Sequence, residues 1–169
     1  HEHTDHVRGV ERLVRRHHLP VYLTAGTHRE AASLQCLPEI HPIACGSELR
    51  INTLTVRPFS ISHDARDPAG FTIGANGSRI GIATDLGHVP EMLMAGPYPW
   101  FLKQRIRSRI GHLSNHESCR LLEDILHPAL EQVVLAHLSE TNNTPAKALT
   151  EMSTLLSGTS VRFSAASQT

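Results

Sequence analysis

The sequence predicts a mixed α/β protein, and three observations support that class. Stretches whose apolar residues recur at helical spacing alternate with short strand-like stretches. No internal repeat, low-complexity tract or linker interrupts this alternation. A length of 169 residues is enough for one domain that buries its own core. We therefore expect a single domain over residues 1–169.

Three stretches are predicted to be helices. The first follows Asp5, a residue type that favours helix N-caps, and continues at helical spacing until Pro20. The second, Glu117–Leu126, carries its leucine and isoleucine side chains on one helical face. The third opens at Thr144-Pro145, a cap followed by a first-turn proline, and runs to about Leu156.

Strands are predicted where short stretches are either continuously apolar or alternate between apolar and polar residues. Asn76-Gly77 separates two of them and is a preferred pair for a two-residue hairpin turn. Residues 25–48, which are polar and then rich in proline and glycine, are expected to form a loop. The predicted strands are Val21–Thr24, Leu49–Val56, Phe59–Ser62, Phe71–Ala75, Ser78–Thr84, Val133–Ala136 and Val161–Phe163.

Composition narrows the function only modestly. The 16 basic and 16 acidic residues balance, so no global field attracts nucleic acid or a membrane, although a local patch stays open. No apolar run is long enough to span a membrane, and no signal segment opens the chain. The three cysteines form no C-x-x-C pair, which disfavours a disulfide framework and fits a reducing compartment. We expect a soluble, cytoplasmic chain.

The first six residues, His1-Glu2-His3-Thr4-Asp5-His6, are unusually rich in metal-binding side chains. In an extended segment His1 and His3 point to the same side and can share one cation. Asp5 and His6 could then reach a second cation beside it. Imidazole and carboxylate ligands together suit zinc, and also manganese or iron. An expression tag is the competing explanation, but tags are usually homopolymeric and this run leads into an amphipathic helix.

Three further candidate ligands each come directly after a predicted strand: His63, Asp85 and His137. Taken singly, such residues are more often polar strand ends or turn residues. If three strands deliver them to one edge of a sheet beside the opening run, they complete a set of seven donors. Seven donors are enough for two metal ions that share a bridging carboxylate.

These residues resemble the metallo-β-lactamase fold superfamily, whose H-x-H-x-D-H motif is matched by residues 1–6 and whose later single ligands are matched in order. Within the superfamily the chain is most similar to the YycJ/WalJ-like hydrolases, which are related to its nuclease branches. The resemblance implies an αββα sandwich. Five further stretches resemble that group both in their residues and in their order along the chain: Phe59–Ala65, Ile82–Gly87, Gly96–Pro99, Gly111–Asn115 and Ala136–Asn143.

The same resemblance implies the ligand assignment and the activity. One ion would be held by His1, His3 and His63, and the other by Asp5, His6 and His137. Asp85 would bridge the two, and Asp5 would also act as a catalytic residue that orients the attacking hydroxide. The implied protein is a metal-dependent hydrolase that uses hydroxide bound to two zinc or manganese ions. A phosphodiesterase or nuclease, similar to a 5′–3′ DNA exonuclease, is the expected activity.

Candidate substrate contacts lie between the ligands in sequence. Basic residues at every second position from 103 to 109 would line one face of an extended segment and could follow phosphates, although a solvated basic face explains them equally well. The resemblance makes His112 a candidate proton donor to the leaving oxygen. It also suggests that neighbouring polar residues hold phosphate, with loop capping as the alternative. The candidate substrate-binding residues are Arg105, Arg107, Ser114, Asn115, Ser139, Asn142 and Asn143.

The chain departs from the family pattern in two places. The strand-rich segment that normally precedes the H-x-H-x-D-H motif is absent, and Val89-Pro90-Glu91 stands where a helix and a strand are usual. We therefore expect a partial domain, truncated at its N-terminus and carrying an internal deletion. Two alternatives to a nuclease stay open: a hydrolase of a non-nucleotide ester, thioester or lactam, and an inactive, non-enzymatic fragment.

Overall fold

The structure is a computed structural model that describes residues 1–87, 113–138 and 143–166. The chain divides into two compact units, His1–Gly111 and His112–Thr169. Both units contain helices and strands, which confirms the mixed α/β class. Within the described ranges, no helix has the length and apolar character needed to cross a membrane.

The first predicted helix is two helices in the structure. Helix α1 spans Thr4–Val7 and helix α2 spans Val10–His17, with Gly9 as the N-cap of α2. Glycine has a poor helix propensity, which accounts for a break at this point. The N-cap of α1 is His3 rather than Asp5. Asp5 lies in the first helical turn instead, where a carboxylate interacts favourably with the helix dipole.

Residues 25–48, which we predicted to be a loop, contain regular structure. Strand β1 spans Val21–Thr24 and pairs in parallel with strand β2, Ile40–Ile43. Helix α3, Ala25–Glu30, and a 3₁₀ turn connect the two strands. The local glycine and proline signal is overridden because this connection buries apolar side chains against α2 and β1. The buried core residues are Val14, Leu23, Ala31, Leu34 and Leu37.

An antiparallel sheet of four strands follows in the order β3-β4-β5-β6. The predicted strand Leu49–Val56 is wrong, because the chain reverses at Asn52, which has a left-handed φ of 53°. The hairpin turn at Asn76-Gly77 is confirmed, with φ values of 50° and 81°. The strands are β3 Leu49–Ile51, β4 Leu54–Ser60, β5 Ala69–Ala75 and β6 Ser78–Ile82.

The second unit contains two helices and two strands. Strands β7, Gln132–Leu135, and β8, Arg162–Ala165, pair in parallel. Helix α4 spans Asn115–Ile125 and helix α5 spans Pro145–Leu155, with Thr144 as the predicted N-cap of α5. The core of this unit is formed by Leu122, Met152 and Leu156, against which apolar residues of β7 and β8 pack.

The three cysteines are free thiols, and their environments differ. Burial, reinforced by the carboxylates of Glu151 and Glu123, raises the pKa of the Cys119 thiol. A raised pKa leaves less of the reactive thiolate near neutral pH. We therefore expect iodoacetamide to alkylate Cys119 several-fold more slowly than the exposed Cys36 at about pH 8. Peptide mass spectrometry of a time course measures both rates, and equal rates in the folded protein would contradict the prediction. In denaturant the two rates should converge.

Candidate metal centre

Three histidine side chains converge at one end of the first unit. One ring nitrogen from each of His1, His3 and His63 lies within 4.8 Å of the others. The ring centroid of His1 is 4.6 Å from those of His3 and His63. His3 Nδ1 and His63 Nε2 are 3.2 Å apart. Two nitrogens bound at about 2.0–2.1 Å to a tetrahedral ion are separated by roughly 3.3 Å, so this pair already has the spacing of shared ligands.

His1 provides a direct test of whether a cation fits this group. Its Nε2 atom is buried, and it has no hydrogen-bond partner among the described residues. Buried polar atoms in proteins are nearly always satisfied by a partner. Neutral imidazole nitrogen is a good ligand for zinc and similar cations. A divalent ion among the three rings would satisfy this nitrogen, so the residues fit a metal ion.

A second group of donors combines two carboxylates with an imidazole. Ligand atoms of Asp5, His6 and Asp85 all lie within 4.8 Å of one another. His6 Nε2 is 2.8 Å from Asp85 Oδ2 and 3.6 Å from Asp5 Oδ2. The side chain of Asp85 is only 2% exposed, whereas that of Asp5 is 58% exposed. A buried carboxylate is stable only when it is paired, hydrogen-bonded or bound to a cation.

The two donor groups of the first unit are neighbours. The ring centroids of His1, from the first group, and His6, from the second, are 4.1 Å apart. His3 accepts a hydrogen bond at its carbonyl from the backbone N–H of His6 at 2.9 Å, so the start of α1 fixes their separation. This adjacency can hold two cations side by side, which is the arrangement that two-metal chemistry requires.

The sheet explains why His63 and Asp85 reach the same place. Strands β4 and β6 both pair antiparallel with β5, so they run in the same direction and end at the same edge. His63 follows the end of β4, and Asp85 follows the end of β6. The backbone N–H of Gly87 donates to the carbonyl of Ser62 at 2.7 Å and thereby links the segments that follow β4 and β6. The sequence prediction of ligands at strand ends therefore has a clear topological basis.

Asp85 and His137 have an unusual backbone conformation. Their φ angles are 56° and 57°, in the left-handed region that few non-glycine residues adopt. His137 lies in the second unit, just beyond the end of β7. Such strain is concentrated at functional sites, where the surrounding structure maintains it. The sequence predicts both residues as ligands, and that role stays a prediction.

Two residues beside the candidate ligands were not predicted from the sequence to be part of the site. Asp64 Oδ1 lies 3.3 Å from His63 Nε2 and 3.9 Å from His3 Nε2, so it adds negative charge next to two imidazoles. Glu2 Oε1 accepts a hydrogen bond from the backbone N–H of Arg66 at 2.6 Å. Both are sequence neighbours of predicted ligands, but only the tertiary contact between the opening motif and the β4–β5 loop reveals these roles.

The predicted substrate-binding residues that the structure describes are engaged in hydrogen bonds within the second unit. Asn115 and Asn143 exchange two side-chain amide hydrogen bonds of 3.1 Å and 2.7 Å. Ser114 is the N-cap of α4, and it forms a capping box with Glu117. Substrate contact by these residues stays a prediction. The remaining candidates lie outside the described residues: Arg105, Arg107, His112, Ser139 and Asn142.

The capping role of Ser114 is directly testable. Its hydroxyl accepts a hydrogen bond from Glu117 N at 3.2 Å, so Ser114→Ala should lower the free energy of unfolding by about 1 kcal/mol. Ser114→Thr keeps a hydroxyl that can accept from Glu117 N and donate to Glu117 Oε2, as Ser114 does at 2.7 Å, and it should unfold close to the parent. Urea titration measures both, and equal losses in the two variants would contradict the capping role.

Two bacterial relatives with recognisable sequence similarity have names that describe DNA-degrading enzymes. The protein named exodeoxyribonuclease YycJ of Bacillus anthracis is 30% identical to this chain over 167 aligned residues, covering 85% of this chain. The exodeoxyribonuclease WalJ of Streptococcus pneumoniae serotype 2 is 28% identical over 169, again covering 85%. The matched region is 63% of the length of either relative.

Structural and family comparisons agree with this likeness. The metallo-beta-lactamase fold protein YhfI from Bacillus subtilis superposes with a TM-score of 0.69 at 13% identity, over 98% of this chain and 72% of that one. At that identity the match shows a shared fold, and the fold expected from the sequence is confirmed. A family model for the beta-lactamase superfamily domain matches residues 1–138, which include all seven predicted ligands. The chain is therefore a member of the beta-lactamase superfamily.

Proposed function

We propose that this chain is a phosphodiesterase of the 5′–3′ DNA exonuclease type that works with two divalent ions, zinc or manganese. The observation that carries the proposal is the adjacency of two donor groups, with His1 and His6 in ring contact at 4.1 Å. A hydrolase in general follows from the superfamily and from the relatives. The nuclease activity, the number of ions and their identity are our proposals.

The ligands would divide between the two ions as the family pattern implies. His1, His3 and His63 would hold one ion, and Asp5, His6 and His137 would hold the other. Asp85 would lie between them, in keeping with its burial and its contact with His6. Bound at these positions, two cations would supply hydroxide near neutral pH and neutralise charge on the phosphate oxygens. Asp5 is exposed enough to accept a hydrogen bond from the attacking water and to orient it.

A phosphodiester is the substrate class that the relatives favour, because both are named exodeoxyribonucleases. Nucleic acid would then be the macromolecular partner. We propose that Arg105 and Arg107 follow the phosphates and that His112 donates a proton to the leaving oxygen. Neutral donors would hold the same phosphate: Ser114, Asn115, Ser139, Asn142 and Asn143.

We also propose that both units belong to one metallo-β-lactamase-like domain over residues 1–169. The family model supports this, because its match at residues 1–138 includes parts of both units. A cytoplasmic location is proposed from the three free thiols, which suit a reducing compartment.

Metal content and substrate preference test the proposal together. The purified chain should contain about two equivalents of divalent metal. It should shorten 5′-phosphorylated DNA, lose this activity to a chelator and regain it with zinc or manganese. His63→Ala should be inactive, whereas Cys36→Ala, which changes an exposed thiol, should match the parent.

The same measurements separate the alternatives. Faster turnover of a thioester or a lactam than of DNA or a bis-phosphodiester dye would point to a different hydrolase of this fold. A folded chain that binds no metal would contradict the proposed enzyme. Loss of both metal and activity in His63→Ala, with an unchanged far-UV circular dichroism spectrum, is the result that supports it.

A further inference from the structure

The loop between β4 and β5, residues 61–68, carries His63 and is held in place by residues outside the ligand set. We propose that Thr24 and Thr27 are positioning residues for the His1–His3–His63 group, acting through the carbonyl of Asp67. This inference rests on the proposed metal site and adds residues for which neither the family pattern nor the ligand spacing assigns a role.

The two threonines are buried where β1 meets α3. Their side chains belong to residues that are 3% and 6% exposed. The hydroxyl of Thr24 donates to the carbonyl oxygen of Asp67 at 2.8 Å, and the two threonine oxygens are 2.9 Å apart. The hydroxyl of Thr27 approaches the same carbonyl at 3.5 Å. A carbonyl 43 residues further along the chain is thus fixed by the first parallel strand.

Helix capping does not account for these contacts. Thr24 is the N-cap of α3, and its oxygen accepts from the backbone N–H of Thr27 at 3.4 Å. That role uses a lone pair of Thr24 and leaves its proton for Asp67. Gly26 N also donates to Asp67 Oδ2 at 3.3 Å, so both the main chain and the side chain of Asp67 are held. The junction of β1 and α3 therefore serves as a support for the loop.

The loop is held at other points on both sides of His63. Glu2 binds the backbone N–H of Arg66, and Gly87 binds the carbonyl of Ser62. The backbone on both sides of His63 is therefore held by hydrogen bonds. His63 Nε2 lies 3.2 Å from His3 Nδ1. Groups that orient a metal ligand typically change metal affinity by about 10- to 100-fold when they are removed. Loss of the threonine support should have an effect in that range.

Valine and serine substitutions separate the hydroxyl from the shape of the side chain. Thr24→Val keeps the branched shape of the side chain and loses the hydroxyl. It should weaken zinc binding at the His1–His3–His63 group by about 10- to 100-fold. Thr24→Ser keeps the hydroxyl and should restore affinity close to that of the parent. Competition with a chromophoric chelator measures the affinity. The visible spectrum of the cobalt-substituted protein reports the ligand geometry, which should change in Thr24→Val and recover in Thr24→Ser.

Thr27→Val keeps the N-cap hydroxyl of Thr24. If circular dichroism shows that Thr24→Val does not fold, the zinc affinity and cobalt spectrum of Thr27→Val provide the test. Thr72→Val, which removes a hydroxyl bound within the sheet, is the matched control and should bind zinc as the parent does. Parent-like zinc affinity and cobalt spectrum in both buried valine variants would overturn the inference while leaving the proposed function intact. Equal losses in Thr24→Ser and Thr24→Val would also overturn it. Absence of zinc binding by the folded parent would overturn both.

Discussion

Replacing Asp85 with asparagine is expected to abolish hydrolysis while leaving the fold in place. Asparagine has nearly the same size and tolerates the left-handed φ of 56° at this position, so the backbone need not move. The substitution removes the negative charge that faces His6 Nε2 at 2.8 Å. Loss of a residue that merely orients a ligand costs about 10- to 100-fold, so loss of the ligand itself should reduce kcat/KM by more than about 100-fold.

Metal analysis of Asp85→Asn should show the content falling from about two equivalents to about one or fewer. Its far-UV circular dichroism spectrum without metal should match that of the parent, since the shape and the backbone are retained. Asp124→Asn, an exposed carboxylate in α4, is the matched control and should change none of these quantities. Parent-like metal content and parent-like turnover in Asp85→Asn would remove Asp85 from the site.

Gly26→Ala is expected to produce the second large effect, through a steric clash. A Cβ atom at residue 26 would lie 2.3 Å from Asp67 Cβ and 3.1 Å from Arg66 Cγ. Either the β4–β5 loop or the start of α3 must move to relieve this contact. Overpacking of this kind costs about 1–3 kcal/mol of unfolding free energy. Because the same loop carries His63, zinc affinity should fall together with stability.

Gly81→Ala is the control for this change. A Cβ at residue 81 would meet no atom within 4 Å, and the residue lies on the exposed strand β6. Alanine there should be neutral or stabilising by up to about 1 kcal/mol, since it restricts the unfolded chain. Denaturant unfolding and zinc competition on the two variants give the comparison. Similar stability and affinity for Gly26→Ala and Gly81→Ala would mean that the contact with Asp67 is relaxed without cost.

Much of the two donor groups was predictable, because the positions of these residues follow from short-range sequence patterns. The alternation of His1 and His3, and the positions of His63 and Asp85 after strands, need only strand periodicity and the direction of neighbouring strands. The hairpin at Asn76-Gly77 has the same character, since both residues favour a left-handed backbone. At these residues the conformation that the local sequence favours is also the one that the tertiary structure requires.

The secondary-structure predictions were wrong where long-range packing overrides the local preference of the sequence. Residues 25–48 looked like a loop, yet α3 and β2 form there because Leu34 and Leu37 pack against Val14 of α2. Asn52 reverses the chain without the glycine that usually marks a tight turn. The support from Thr24 to Asp67 spans 43 residues, so no local pattern could have shown it. Sequence reasoning found candidate ligands, but it missed the residues that hold their loop.

Helix α1 begins between the two donor groups, with His3 as its cap and with Asp5 and His6 in its first turn. A helix of four residues has almost no stability of its own, because nucleation costs more than so few hydrogen bonds return. A cation bound to either group would hold one side of this turn and thereby arrange the ligands of the other. Formation of α1 and loading of the two proposed ions would then be thermodynamically linked, and each ion would contribute to the affinity for its neighbour.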